Sequence, residues 1–87
     1  MKISLHKNFE KQYKKLHSSE KRKFKERRNI FLKNPLHSIL NNHALKGKYK
    51  GYRSINITGN LRVIYKIIDE NVVYFITINT IQTYTNN

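Results

Sequence analysis

The stretch from Tyr52 to Ile78 constrains the fold more than any other part of the chain. Tyr52-Arg53-Ser54-Ile55-Asn56-Ile57 alternates polar and apolar residues, and Thr58-Gly59-Asn60 reads as a turn. Leu61 to Ile68 is an apolar run with Arg62 and Lys66 on one face, Asp69-Glu70-Asn71 reads as a second turn, and Val72 to Ile78 is rich in β-branched residues. Short strands joined by such tight turns form an antiparallel meander. One face of that meander must be covered to bury its apolar side chains, so the first half of the chain has to supply the cover.

The first half has the pattern to do so. Lys2-Ile3-Ser4-Leu5-His6 alternates and suits a short edge strand with Ile3 and Leu5 inward. Asn8 is placed to cap a helix whose Phe9, Tyr13 and Leu16 recur at i, i+4 and i+7, with Lys7, Lys11, Lys14 and Lys15 mostly off that stripe. His17-Ser18-Ser19 breaks it. Ser19 is placed to cap a second helix from Glu20 to about Lys33, carrying Phe24, Arg27, Arg28 and Phe31 on its inner side and ended by Asn34-Pro35. The expected architecture is α+β with the order β-α-α-β-β-β, a helical hairpin packed on one face of a small, mainly antiparallel sheet, and residues 1–87 forming one domain. Residues 35–51 are the least regular part, where a functional loop is expected.

Charge narrows the function. Eighteen Lys and Arg against five Asp and Glu give a formal +13, of which residues 1–34 carry +9. With no cysteine there is neither a disulfide nor a thiolate, and with Glu10, Glu20, Glu26, Asp69 and Glu70 scattered, only Asp69-Glu70 is an adjacent acidic pair, set in a turn. No bound metal or small-molecule cofactor is expected, and any catalysis has to come from cations, imidazoles and hydroxyls. The opening residues have no signal-peptide apolar stretch and no run is long enough to span a membrane, so the expectation is a soluble, cytoplasmic protein.

Two segments could carry chemistry. His43 to Arg53 packs an imidazole, the cations Lys46, Lys48, Lys50 and Arg53, and the rings of Tyr49 and Tyr52 around two glycines. It suits a loop gripping phosphates and stacking bases, or equally a solvated turn. The run Lys21 to Arg28 reads as the wet face of a helix or as a surface for RNA or another anionic partner. Arg62 is more telling, because a charge in the middle of a central strand must reach an open sheet face or be paired. The face holding Arg62, with Arg53 and Lys66 expected beside it, is then an exposed basic surface able to hold a phosphate.

Taken together, Leu45 to Arg53, Ile57 to Lys66 and Val72 to Ile76 resemble the RelE/ParE superfamily of bacterial toxins, most closely its YafQ and RelE branches. There, "H-x-L-x-G-x-x-x-G-x-R" precedes "R-x-x-Y-x-I" and a final strand leads to a tail ending in an aromatic. The resemblance covers roughly residues 1–84 and has the same β-α-α-β-β-β order. It implies a toxin of a type II toxin–antitoxin system, a ribosome-dependent endoribonuclease that cuts mRNA without a metal by attack of a 2′-hydroxyl on the adjacent phosphate. It also implies roles: His43 and Tyr84 as proton-transfer candidates, Arg62 at the developing charge, and Lys46, Lys48 and Arg53 as phosphate-gripping cations.

The chain departs from the branch pattern in places. Ile81 stands where YafQ-type members carry a histidine, Asn56 and Asn60 where they carry a histidine and an aspartate, and Gln82 is the nearest match to a RelE-type arginine. Two other functions stay open on these residues: a ParE-like inhibitor of DNA gyrase, and a homologue without activity that only binds its antitoxin or RNA. The expected partners are the ribosome with its mRNA and an acidic, partly disordered antitoxin attracted by the +9 helical half.

Overall fold

The computed structural model describes residues 1–80. Its elements are β1 (Lys2–Leu5), α1 (Lys7–Lys14), α2 (Ser18–Lys33), β2 (His43–Ala44), β3 (Arg53–Asn56), β4 (Leu61–Asp69) and β5 (Val72–Thr80), with 3-10 turns at Ser38–Leu40 and Gly47–Tyr49. The sheet runs β1-β5-β4-β3-β2, with β1 parallel to β5 and every other pair antiparallel. The expected α+β order is therefore present with one addition. β2 comes from the segment expected to be irregular, where it pairs His43 with Ser54 and Ala44 with Arg53.

Local chemistry sets the ends of each element. The Thr58 hydroxyl accepts from the amides of Asn60 and Leu61 at 3.1 and 2.9 Å, closing the turn between β3 and β4. The Asp69 carboxylate does the same for Asn71 at 2.7 Å in the next turn. The helix starts differ from expectation. His6, not Asn8, caps α1, its Nδ1 accepting from the Asn8 amide at 3.0 Å. α2 begins at Ser18 with His17 at the cap position, where the His17 amide donates to Glu20 Oε1 at 2.9 Å. In both cases the imidazole-bearing residue just before the helix holds the extended backbone of a cap, which leaves Asn8 and Ser19 inside the first turn.

Aromatic rings make up the centre of the core. Phe9 of α1 and Phe24 of α2 meet at 5.4 Å between centroids, Phe24 and Phe31 lie 6.1 and 5.7 Å from Phe75, and Phe31 packs edge-on against Tyr65 at 5.2 Å. Burying each such ring contributes about 1.5–3 kcal/mol, and edge-to-face pairs add about 0.5–1.5 kcal/mol more. Ile3 packs against this core, whereas Leu5 is exposed and lines a surface groove with Phe9, Tyr13 and Phe24. Leu5 was expected inward, but it ends the edge strand one residue before the chain turns into α1. Where β1 stops, Gln12 of α1 takes over as partner to β5, its Oε1 accepting from the Ile78 amide at 2.9 Å and the Thr77 hydroxyl at 2.6 Å. Among the described residues, no helix is long and apolar enough to cross a membrane.

Candidate active site on the open sheet face

Residues opposite one another in register share a face, and faces alternate along a strand. Leu61, Val63 and Tyr65 of β4 point to the helices and belong to the aromatic core, so Arg62, Ile64 and Lys66 point to the other side. Register then gathers the rest of that face. Asn56 and Asn79 flank Arg62, and Ser54 flanks Ile64 with His43 next to it on β2.

This face buries polar atoms that nothing satisfies. Arg62 Nε, Asn56 Oδ1 and Ser54 Oγ are all buried without a hydrogen-bond partner. Such groups usually cost about 1–3 kcal/mol each when orphaned, so this stretch of two paired strands carries an unmet polar cost, as does Arg27 Nε on α2. Burial also holds the Arg62 guanidinium below the ordinary arginine value, with no carboxylate paired to it among the described residues. The group stays a cation, and a poorly hydrated one is a strong partner for a phosphate.

His43 is oriented by its own turn. Asn41 adopts a left-handed backbone, φ 45°, and its carbonyl oxygen lies 2.8 Å from His43 Nδ1. A carbonyl only accepts, so Nδ1 carries the hydrogen and Nε2 is left as a base. Lys46 and Lys48 are exposed in the loop beyond β2, with Lys48 Nζ 5.4 Å from the Tyr49 ring centroid. Asn60 is exposed in the turn after β3.

Arg53 stands apart from these. It is paired with Tyr65, so it faces the helix side and does not share the face of Arg62 as expected. Its Nε donates to Asn42 Oδ1 at 2.9 Å, and Asn42 Nδ2 in turn donates to the Tyr65 hydroxyl at 2.8 Å and the Pro35 carbonyl at 2.9 Å. This chain ties residues 35–42 to the sheet. Tyr84, Ile81 and Gln82 lie outside the described residues. Sequence reasoning passed over Ser54, and took Asn56 only as a lost histidine. The signal was the register across the Thr58 turn, which places both on the Arg62 face. Among the described residues, no group of three or more His, Asp and Glu side chains is placed to hold a metal ion.

A family model described as the bacterial toxin of a type II toxin–antitoxin system, YafQ, matches residues 1–83. The chain belongs to the YafQ family. YafQ from Escherichia coli strain BL21(DE3) is similar in structure, with a TM-score of 0.73 at 26% identity, 95% of this chain and 96% of that one being covered. The toxin of the E. coli DinJ–YafQ toxin–antitoxin complex gives 0.70 at 24%, covering 95% and 94%. The YoeB/ParE toxin of Agrobacterium tumefaciens shares the fold at 0.77 and 19%, covering 92% and 98%. No curated protein sequence matches this YafQ-family chain.

Proposed function

We propose that this YafQ-family toxin is a metal-independent, ribosome-dependent mRNA endoribonuclease. The observation that carries the reading is Arg62, a half-buried cation with no carboxylate paired to it among the described residues, on the same sheet face as His43, whose Nδ1 is turned to the Asn41 carbonyl. In the proposed step His43 Nε2 takes the proton of a ribose 2′-hydroxyl, whose oxygen bonds to the adjacent phosphorus. Arg62 stabilises the extra charge on the phosphate oxygens, and the bond to the 5′-oxygen breaks to leave a 2′,3′-cyclic phosphate. β2 and β4 are two strand spacings apart, about 10 Å, which leaves room for a ribose and its phosphate between the two side chains. Lys46 and Lys48 hold the RNA backbone on the approach side, and Tyr84 is the candidate to protonate the leaving oxygen.

The partners follow from charge and kinship. An acidic antitoxin neutralises the +9 of residues 1–34, in keeping with the DinJ–YafQ complex of a related toxin, and the substrate is message on translating ribosomes in the cytoplasm. The test is to add purified chain to translating ribosomes and map new 5′ ends on the message. Cleavage that is lost in Arg62→Ala and His43→Gln is the expected result. Intact message together with blocked gyrase supercoiling would replace this reading with gyrase inhibition, and intact message with neither effect would leave a binder of antitoxin or RNA.

A further inference from the structure

Four residues along β4 from Arg62, and on the same face, Lys66 stands between two tyrosines. Register sets Tyr74 of β5 opposite Lys66. On the other side the β2–β3 ladder continues through a Leu45 amide to Tyr52 carbonyl bond of 2.9 Å, which puts Tyr52 opposite Lys66 one step beyond the Arg53–Tyr65 pair. Contacts within the face hold both rings. Lys66 Nζ lies 5.9 Å from the Tyr52 ring centroid, and the Tyr74 ring lies 5.5 Å from the His6 imidazole at 48°. His6 is itself fixed by its cap to Asn8. Neither tyrosine belongs to the helix-side core, and both are half-buried while Lys66 is exposed.

We infer that Tyr52, Lys66 and Tyr74 form a stacking platform for an unpaired base of single-stranded RNA, with Lys66 taking the adjoining phosphate. The inference rests on the nuclease reading for its ligand. Every base has a π-face, so two rings with a cation between them bind single strands with little regard to sequence. Four residues of strand separate Lys66 from Arg62, about 13 Å, so the platform holds a neighbour of the cleaved nucleotide and fixes the strand's path into the site. An acidic peptide would satisfy Lys66 but gain little from the flat rings, whereas a nucleotide uses both.

The experiment is to titrate purified chain into a fluorescein-labelled single-stranded RNA dodecamer carrying one 2-aminopurine, following anisotropy and 2-aminopurine quenching in the absence of ribosomes. Tyr52→Leu and Tyr74→Leu are each expected to weaken binding at least about fivefold and to reduce the quenching, while Tyr→Phe at either position keeps both. Thermal melts show that each variant is folded, and the phenylalanine variants and the wild-type quench carry the test if a leucine variant is not. Wild-type affinity in both leucine variants, or binding without quenching, overturns the platform even if message cleavage is intact. Tyrosine-dependent quenching in a chain that leaves ribosome-bound message uncut keeps the platform and removes the nuclease.

Discussion

On the helix side of the sheet, Val63, Tyr65 and Phe75 meet Phe9, Phe24 and Phe31, and Arg53, Asn42 and the Tyr65 hydroxyl satisfy one another, with Arg27 Nε of α2 the buried polar atom left unpaired among the helices. One residue further along the same strands, on the opposite side, Ser54, Asn56 and Arg62 bury polar atoms with no partner. The same backbone supports both, so the difference lies in the side chains. The helix face supplies the stability that a chain of 87 residues can spare little of, and the other face gives some of it up to polar groups that the fold leaves unmet.

Breaking the helix face has the largest expected effect. Phe75 is fully buried at the centre of the ring cluster, and Phe75→Ala should cost about 3–5 kcal/mol, a large share of the 5–15 kcal/mol typical of a domain, read as a shifted urea midpoint. A loss under about 1 kcal/mol would mean that the rings are not what holds the two layers together. Arg62→Ala should do the reverse. Message cleavage should fall about 10²- to 10³-fold, as when one transition-state donor is removed, while the melting temperature holds or rises because an unpaired buried donor has gone. A variant that unfolds instead would place Arg62 among the structural groups.

Much of this was legible in the sequence. The β-branched run at 72–78, the Thr58-Gly59-Asn60 turn and the spacing of Phe9 and Tyr13 give strands, hairpin and helix because each is a local preference agreeing with the global fold. Two things were not read. β2 is a pair of residues, His43–Ala44, with no periodicity of its own, and exists because β3 offers it a free edge. The face of Arg53 was legible in principle. Ile57 and Leu61 close the turn with an amide to carbonyl bond of 2.8 Å, so odd-numbered residues of β3 face odd-numbered residues of β4, and Arg53 cannot stand beside Arg62. Arg53→Leu tests that assignment. Losing its bond to Asn42 should cost about 1–2 kcal/mol in a denaturant melt and leave cleavage within a fewfold of wild type, whereas full stability with lost cleavage would return Arg53 to the site.

Ser54 gives a smaller and more pointed test. Its hydroxyl is completely buried and unpaired, so Ser54→Ala should stabilise the free chain by up to about 1 kcal/mol, since the methyl group loses no hydrogen bond and sheds a desolvated oxygen. Because that oxygen is shut off from solvent, the same variant should bind the single-stranded dodecamer as tightly as wild type while melting higher. A lower melting temperature would show that the hydroxyl is satisfied in solution and that the open face carries less unmet polarity than the helix face comparison implies.

Lys46 and Lys48 should show the smallest effect, one that separates steering from catalysis. Both are exposed beyond β2, where water screens them, so neither should move stability measurably. If each contacts one phosphate, each lysine-to-alanine change should lower the slope of log affinity against log salt by about 0.7, the increment for one counterion released from a single strand. The rate of cleavage at saturating ribosomes should then be unchanged, because a contact made equally in the bound and transition states alters binding alone. A reduced saturating rate in Lys46→Ala or Lys48→Ala, with the salt slope preserved, would move that lysine to the reacting phosphate. The chemistry would then extend beyond the face that Arg62 and His43 share and onto the loop at the sheet edge.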